Sequence, residues 1–426
     1  MRTVTQAQEI ILQHVQCLDA ESVPIERAMG RVLAEDVVSN RNHPPYDVSA
    51  MDGYAIRFAD AKGATKDSPV TLKVIDDIRA GSAPKCPVCA GEASMIMTGA
   101  PVPEGADAVI RVEDTSRRSH KGRHDKQEHP EAVDIRAEVP SGDNIRLMGE
   151  NLKMGDIVLN EGAAIRPAEV GILSMVKKAD VQVYRWPTVA ILATGDELEA
   201  LDEPLNPEKI PNSNTYSTMA QIQALGIEPV LLGIARDTRE HLEEKLRQGL
   251  QYDVLIVTGG VSVGHHDFVR PTLQELGIAM HFWRVAMRPG HPMAFGTGLK
   301  TKVFALPGNP VAGMVCAEEF VVPAIRKMAG FARLYRLTVE AIVSKDVKDR
   351  AGRMHFMRAR LTGEGNDLRV ESVGAQGSGI LMSMVHADAL MVVPADCSGL
   401  AKGERVRVQL LNGNSFQSKA CLERGS

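Results

Sequence analysis

Aromatic side chains are scarce in this chain, supplying only 4% of its 426 residues, and that scarcity argues against the stacked platforms that hold single-stranded nucleic acids. An excess of one charge is missing as well. Forty-nine Lys and Arg against 54 Asp and Glu leave a formal net charge of −5. Such a balance has no general attraction for polyanions, so no nucleic-acid partner is expected and any anion must be bound locally. No run of 18 apolar residues occurs, and Met1-Arg-Thr-Val-Thr-Gln6 has no apolar signal-peptide core. The expectation is a cytoplasmic protein with no membrane segment. Cysteine is sparse too, with residues at 17, 86, 89, 316, 397 and 421, which excludes a disulfide framework. Cys86-Pro-Val-Cys89 alone is closely spaced; it reads as half a zinc site, a redox pair or a chance pairing in a loop.

What is present is enough apolar sequence, 44% of the chain, to build several cores, and the length predicts two to four domains. Thr5 to Gln8 reads as a capping box, and Ile10, Ile11, His14, Val15 and Leu18 follow at helical spacing. Gly30 to Val38 reads as a strand. From Met51 to about Arg136 the chain is a β-rich unit of short runs, such as Val70–Ile75 and Ala108–Val112, broken by Gly and Pro. Within it, Ser116 to Glu131 is basic, with His120, His124 and His129 readable as a metal or anion tail or as a solvated hairpin tip. Arg166-Pro-Ala-Glu169 opens a helix at proline.

From Thr188 the texture becomes strand, glycine turn, helix, in series. Strands are expected at 189–193, 229–234, 254–257, 279–285 and 302–305, with helices at 214–225, 239–250, 268–276 and 311–328. This is a doubly wound parallel sheet. Leu337 to Leu411 alternates at period two around a hairpin turn at Gly363–Asp367, which predicts a small β-barrel or sandwich. The expected domains are 1–50 with 137–185, 51–136, 186–332 and 333–426.

Three glycine-rich stretches, Thr194-Gly-Asp-Glu197, Thr258 to Gly264 and Leu306-Pro-Gly-Asn-Pro310, each follow a short apolar run. A parallel sheet gathers such loops at one edge, where backbone N–H groups meet an oxyanion. Asp196, Glu197, Asp237 and Asp267 arrive with them, and their hard oxygens suit a divalent cation held against a phosphorylated ligand. Asp237 could equally cap the helix that follows it. Arg288-Pro-Gly-His291 brings two potential cations to one turn, as an oxyanion clamp or as surface residues. Asp52 and Thr98 each precede a glycine and read, by themselves, as turn formers.

Ser49-Ala-Met-Asp-Gly-Tyr-Ala55, the string from Met97 to Val109, Thr194 to Leu198, Gly259 to Gly264 with Asp267, and Leu306 to Val311 together resemble the molybdopterin molybdenumtransferase family, bacterial MoeA and the E domain of gephyrin, nearly end to end. The resemblance implies a multidomain α/β fold with a MogA-like central domain, a β-rich inserted domain and a C-terminal β-barrel. It also implies a homodimer in which the β-rich domain of one subunit faces the sheet of the other. The implied reaction inserts molybdenum from molybdate into adenylylated molybdopterin, releasing AMP with Mg²⁺. Other molybdenum cofactor assembly proteins and apo-molybdoenzymes are the implied partners. Asp52, Thr98, Glu197, Asp237 and Asp267 match catalytic positions, and Glu197, Asp237 and Asp267 match the metal-holding acids. Gly195, Ser213, Gly259, Gly260, Ser262, Arg288, His291, Pro307, Gly308, Asn309, Pro310 and Ser378 match substrate-binding positions.

Three departures stand out. Arg288 and His291 occupy positions where the family usually has lysine, Asn151 one where it often has an acid, and His265-His266 one where it has an aromatic or acidic pair. Arg for Lys replaces a point cation with a planar fork, and His makes the charge conditional on pH. The alternative is therefore a catalytically impaired paralogue that carries molybdopterin or the molybdenum cofactor, or scaffolds its assembly.

Overall fold

The computed structural model describes residues 1–116, 130–260 and 268–411, and the chain divides into two compact units. The first comprises Met1–Glu35, Gly162–Arg166 and the chain from Asp180 onward; the second comprises Asp36–Glu161 and Pro167–Ala179. The basic stretch carrying His120, His124 and His129 lies outside the described residues, as does Cys421.

The first unit opens on α1, Val4–Gln13, whose capping box is Thr3 with Gln6. That is two residues ahead of the expected box. Both spacings fit the motif, but the buried stripe of Val4, Ala7 and Ile11 starts at Val4, so the earlier threonine must terminate the helix. The sheet that α1 packs beside is built from β1 (Val189–Thr194), β2 (Val230–Ala235), β3 (Val254–Thr258), β4 (Ala279–Phe282), β5 (Ala294–Thr297) and β6 (Lys302–Leu306), in the order β2-β1-β3-β6-β5-β4. β2, β1, β3 and β6 run parallel. β5 is antiparallel to both β6 and β4. This one reversal corrects the expectation of a sheet parallel throughout. The Ala-Phe-Gly-Thr run of β5 is too short and glycine-broken to register as a strand until its neighbours supply the pairing.

Central strands are apolar on both faces, as a sheet covered on two sides requires. Ile191, Ile256, Phe304 and Leu306 join α1 in one core, whereas Leu192, Leu255, Val257 and Val303 face Leu242, Leu246 and Leu273 in the other. Each such fully buried side chain contributes roughly 1.5–3 kcal/mol. Helices α2 (Ser213–Gln223), α3 (Arg239–Gly249), α4 (Val269–Glu275) and α5 (Pro310–Cys316) fill the crossovers, and α5 runs through a π-helical turn at Ala317–Val321 into α6, Val322–Met328.

Beyond the sheet, β7 (Thr338–Val343), β8 (Met354–Thr362), β9 (Arg369–Ser372), β10 (Ala389–Val393) and β11 (Arg405–Leu410) close into a five-stranded barrel, because β8 pairs with both β9 and β10. The expected hairpin turn at Gly363–Asp367 joins β8 to β9.

In the second unit, Gly53–Ile56 lies antiparallel to both Glu92–Ile96 and Ala108–Arg111, and Val70–Ile78 continues the sheet to Ala132–Ile135. Tyr54 and Ile56 are fully buried on one face of this five-stranded sheet and Ala55 on the other. The expected strand over Gly30–Val38 is instead two separate short pairings. Val32 and Leu33 bridge to Ala164 and Val183, while Val37–Val38 pairs with Ile157–Leu159. The chain passes between units after Glu35, so no single partner strand could serve the whole run. The helix opened at proline is Pro167–Met175.

Candidate functional site

Four loops converge at the carboxyl edge of the sheet. Gly195 leaves β1 with φ of 139° and donates its N–H to Ala235 O at 3.2 Å. A Cβ there would collide with the Glu197 carboxylate, which folds back over it. Gly259 and Gly260 leave β3 with φ of 90° and 61°. A Cβ on Gly259 would sit 2.7 Å from Thr194 O, and one on Gly260 2.8 Å from Thr194 Oγ1. Glycine is therefore required at both positions for close packing as well as for φ. Gly308, after β6, stands against Gly259, its would-be Cβ 3.7 Å from the Gly259 Cα. Its carbonyl accepts the Asn214 Nδ2–H at 2.7 Å, tying α2 to the same edge. Ser213 is the exposed first residue of α2, which Asn212 caps.

Of the acids, Asp196 and Asp237 bond reciprocally. The Asp196 N–H donates to Asp237 Oδ2 at 3.3 Å and the Asp237 N–H to Asp196 Oδ1 at 3.2 Å. Asp237 does not cap α3: Thr238 is the N-cap residue. It cross-links two strand-end loops instead. Glu197 is exposed. Asp267 and Ser262 lie outside the described residues, as do His265 and His266. Among the described residues no group of three or more His, Cys, Asp or Glu could hold a metal; Cys86 and Cys89 are both free.

A cavity of about 320 Å³ adjoins the β6 loop, lined by Arg288, His291, Pro307, Asn309, Arg353, Gln376 and Ser378 among others. Sequence reasoning named five of these. Pro310 starts α5, and the next residue, Val311, donates its N–H to Ser378 O at 3.1 Å, fastening the barrel loop to the sheet domain. Gly290 is held tight because a Cβ there would collide with Cys316 Sγ, a thiol that burial pushes to high pKa. His291 Nδ1 lies 2.9 Å from Val285 O, so that nitrogen carries the proton and Nε2 is left for other contacts.

The Arg288-His291 pair is not a free clamp. Arg288 Nη1 donates to Asp349 Oδ1 at 2.6 Å, and Asp349 Oδ2 lies 2.9 Å from His355 Nδ1. Burial lowers the His355 pKa despite that carboxylate, which favours the neutral ring. Beneath the Gln376–Ser378 loop, fully buried Arg358 donates to Ser383 Oγ at 3.1 Å and Gly377 O at 3.2 Å. Burial brings its pKa down to about 10. Asp349, Arg353 and Arg358 escaped the sequence reading. The signal available for Arg358 was an arginine among the apolar residues Phe356, Met357 and Ala359 of β8, two residues ahead of the exposed Arg360; for Arg353 there was none.

In the second unit, Asp52 and Thr98 are brought together. Asp52 Oδ1 accepts the Thr98 N–H at 2.7 Å and the Thr98 Oγ1–H at 2.8 Å. The segments carrying them are pinned by Gly99 N–H to Ser49 O at 2.8 Å. Gly53 is no turn residue but the start of a strand, where a Cβ would collide with Ile110 O.

An open α/β sheet whose strand-end glycines meet a basic cavity, closed by a barrel loop, defines a protein built to hold a small anionic ligand. Three family models match in chain order. Residues 2–176 match the MoeA N-terminal region (domain I and II), 190–327 the probable molybdopterin binding domain, and 340–411 the MoeA C-terminal region (domain IV). The molybdopterin molybdenumtransferase of Staphylococcus epidermidis is 33% identical over 416 residues, covering 97% of this chain and 96% of its own length. That of Bacillus subtilis is 34% identical over 402 residues, covering 93% and 92%. The crystal structure of the molybdopterin biosynthesis moeA protein from Pyrococcus horikoshii OT3 aligns with a TM-score of 0.79 at 31% identity, covering 96% of this chain and 100% of that one. The chain belongs to the molybdopterin molybdenumtransferase family, enzymes of molybdenum cofactor biosynthesis.

Proposed function

We propose that this chain inserts molybdenum from molybdate into adenylylated molybdopterin with release of AMP, in the cytoplasm and as a homodimer. The observation that carries the reading is the cavity where Arg288, His291, Arg353 and Ser378 meet the Pro307–Asn309 loop. A dianionic oxyanion there meets charge-assisted donors, and the strand-end loops lie alongside for the phosphate end of the pterin. Glu197 and Asp237 offer hard carboxylate oxygens of the kind Mg²⁺ takes, and with Asp267 they would hold it. When bound, the ion neutralises the charge that develops as the phosphoanhydride breaks. Asp52, oriented by Thr98, would serve the site of a second copy. The finished cofactor would pass to apo-molybdoenzymes, with other assembly proteins as partners.

The anchoring of Arg288 to Asp349 favours the carrier or scaffold as a second reading, because it offsets one of the cations that the oxyanion needs. AMP release from adenylylated molybdopterin, with and without molybdate and Mg²⁺, separates the two. Molybdate-dependent release, reduced roughly 10- to 100-fold by Arg353→Ala, supports catalysis. Tight pterin binding without AMP release supports the carrier.

A further inference from the structure

A second cavity, of about 640 Å³, borders the oxyanion pocket and is lined by Arg2, His281, Trp283, Arg284, His291 and Arg353 among others. His291 and Arg353 line both cavities. Among the described residues no acid lines this one, and Arg2, Arg284 and Arg353 form no ion pair. The placement is built into the backbone. Arg2 bridges in parallel to Val285, with Arg2 N–H on Arg284 O at 3.3 Å and Ala286 N–H on Arg2 O at 2.7 Å, so Arg2 and Arg284 are held side by side. In a chain of net charge −5, this concentrates one sign at one mouth. A cleft lined by one sign raises the local concentration of the opposite ion and its on-rate. The volume greatly exceeds that of one tetrahedral oxyanion, so the ion stays hydrated and loosely held.

We propose that this cavity is a cationic antechamber which captures dianionic oxyanions and delivers them past His291 and Arg353 to the inner pocket. The role of molybdate as substrate rests on the function proposed above; the capture itself does not. Arg2 and Arg284 are capture residues, not catalytic ones.

The test is Arg2→Ser/Arg284→Ser beside Arg2→Lys/Arg284→Lys. At low ionic strength the Ser pair raises the KM for molybdate about 3- to 10-fold with kcat unchanged. The Lys pair restores it, and the difference collapses near 0.5 M salt, where charges beyond about 4 Å are screened. Calorimetric binding of molybdate to the protein without any pterin isolates the capture step. If the wild type turns nothing over, yet the Ser pair weakens molybdate binding in a salt-dependent way, the catalytic reading fails and the antechamber stands. If the Ser pair binds molybdate as wild type does at low salt, or the Lys pair behaves like the Ser pair, the antechamber is overturned.

Discussion

Glu319 sits in the π-helical turn between α5 and α6, 4% exposed, accepting from Gln8 Nε2 at 3.2 Å beside the Glu318–Arg336 ion pair. Burial pushes its pKa up to about 8 and the Glu318 charge adds to this, against hydrogen bonds from Gln409 and Gln8. The folded protein therefore keeps this proton where the unfolded chain, with an ordinary glutamate, has lost it. Stability from this group is complete below pH about 4.5 and is lost as pH rises toward 8, by up to roughly 1.4 kcal/mol per unit. Glu319→Gln removes that dependence. Its unfolding midpoint relative to wild type should rise between pH 5 and pH 8, and a pH-independent difference would disprove a neutral Glu319.

Asp253 behaves oppositely. Burial alone would raise its pKa, but the Arg185 guanidinium at 2.7 Å and Thr188, donating both N–H and O–H, hold it down to about 2. Its contribution is present above the ordinary aspartate value and lost as pH falls through 2. Asp253→Ala should cost about 3 kcal/mol at pH 7, measured by denaturant unfolding, and the cost should shrink as pH is lowered from 4 to 2.

Among the elements, the β3 loop sets the strictest geometric demand. Gly259 has φ of 90° and stands against Thr194 O, so Gly259→Ala meets both a left-handed backbone and a clash. A loss of about 2–3 kcal/mol is expected, with weaker pterin binding measured by fluorescence titration. Wild-type binding in that variant would mean that the β3 loop lies outside the site. The same scale explains what sequence reasoning missed. The apolar runs that form β1, β3 and β6 and the glycines that follow them carry local signals of strand and turn, so those elements were legible. The split of Gly30–Val38 depends on distant partners, and nothing in the run names them. The reversal of β5 is local, a hairpin with β6 closed by Gly298 N–H on Thr301 O at 2.9 Å, and was missed because its short, glycine-broken run carries little strand signal. Ser378 was legible only through its motif, because its position is fixed by a contact with Val311 from another domain of the fold.

For the whole molecule, the two units carry different parts of the proposed chemistry: Asp52 with Thr98 in one, the sheet loops and the oxyanion cavity in the other. If a site draws on both units from different copies, inactive Asp52→Ala and Glu197→Ala chains should complement each other. Random pairing makes half the dimers mixed, each with one intact site, giving about a quarter of wild-type AMP release. No recovery after co-refolding, or a monomer by sedimentation, would reject the shared site.

The sequence by itself determined the α/β sheet with its glycine exits, the β-rich stretch after Met51 and the period-two strands of Leu337 to Leu411, because period, β-branching and glycine act within a few residues of one another. That those last strands form a barrel and not a sandwich was decided by β8 pairing with both β9 and β10. The tertiary structure alone decided which charges are free. It ties Arg288 to Asp349, cross-links Asp196 with Asp237, buries Arg358 under the Ser378 loop and, among the described residues, leaves Arg2, Arg284 and Arg353 unpaired around an open cavity. Whether a charge is spent on a neighbour or kept for a ligand depends on residues remote in the chain, and only folding brings these within a few ångströms.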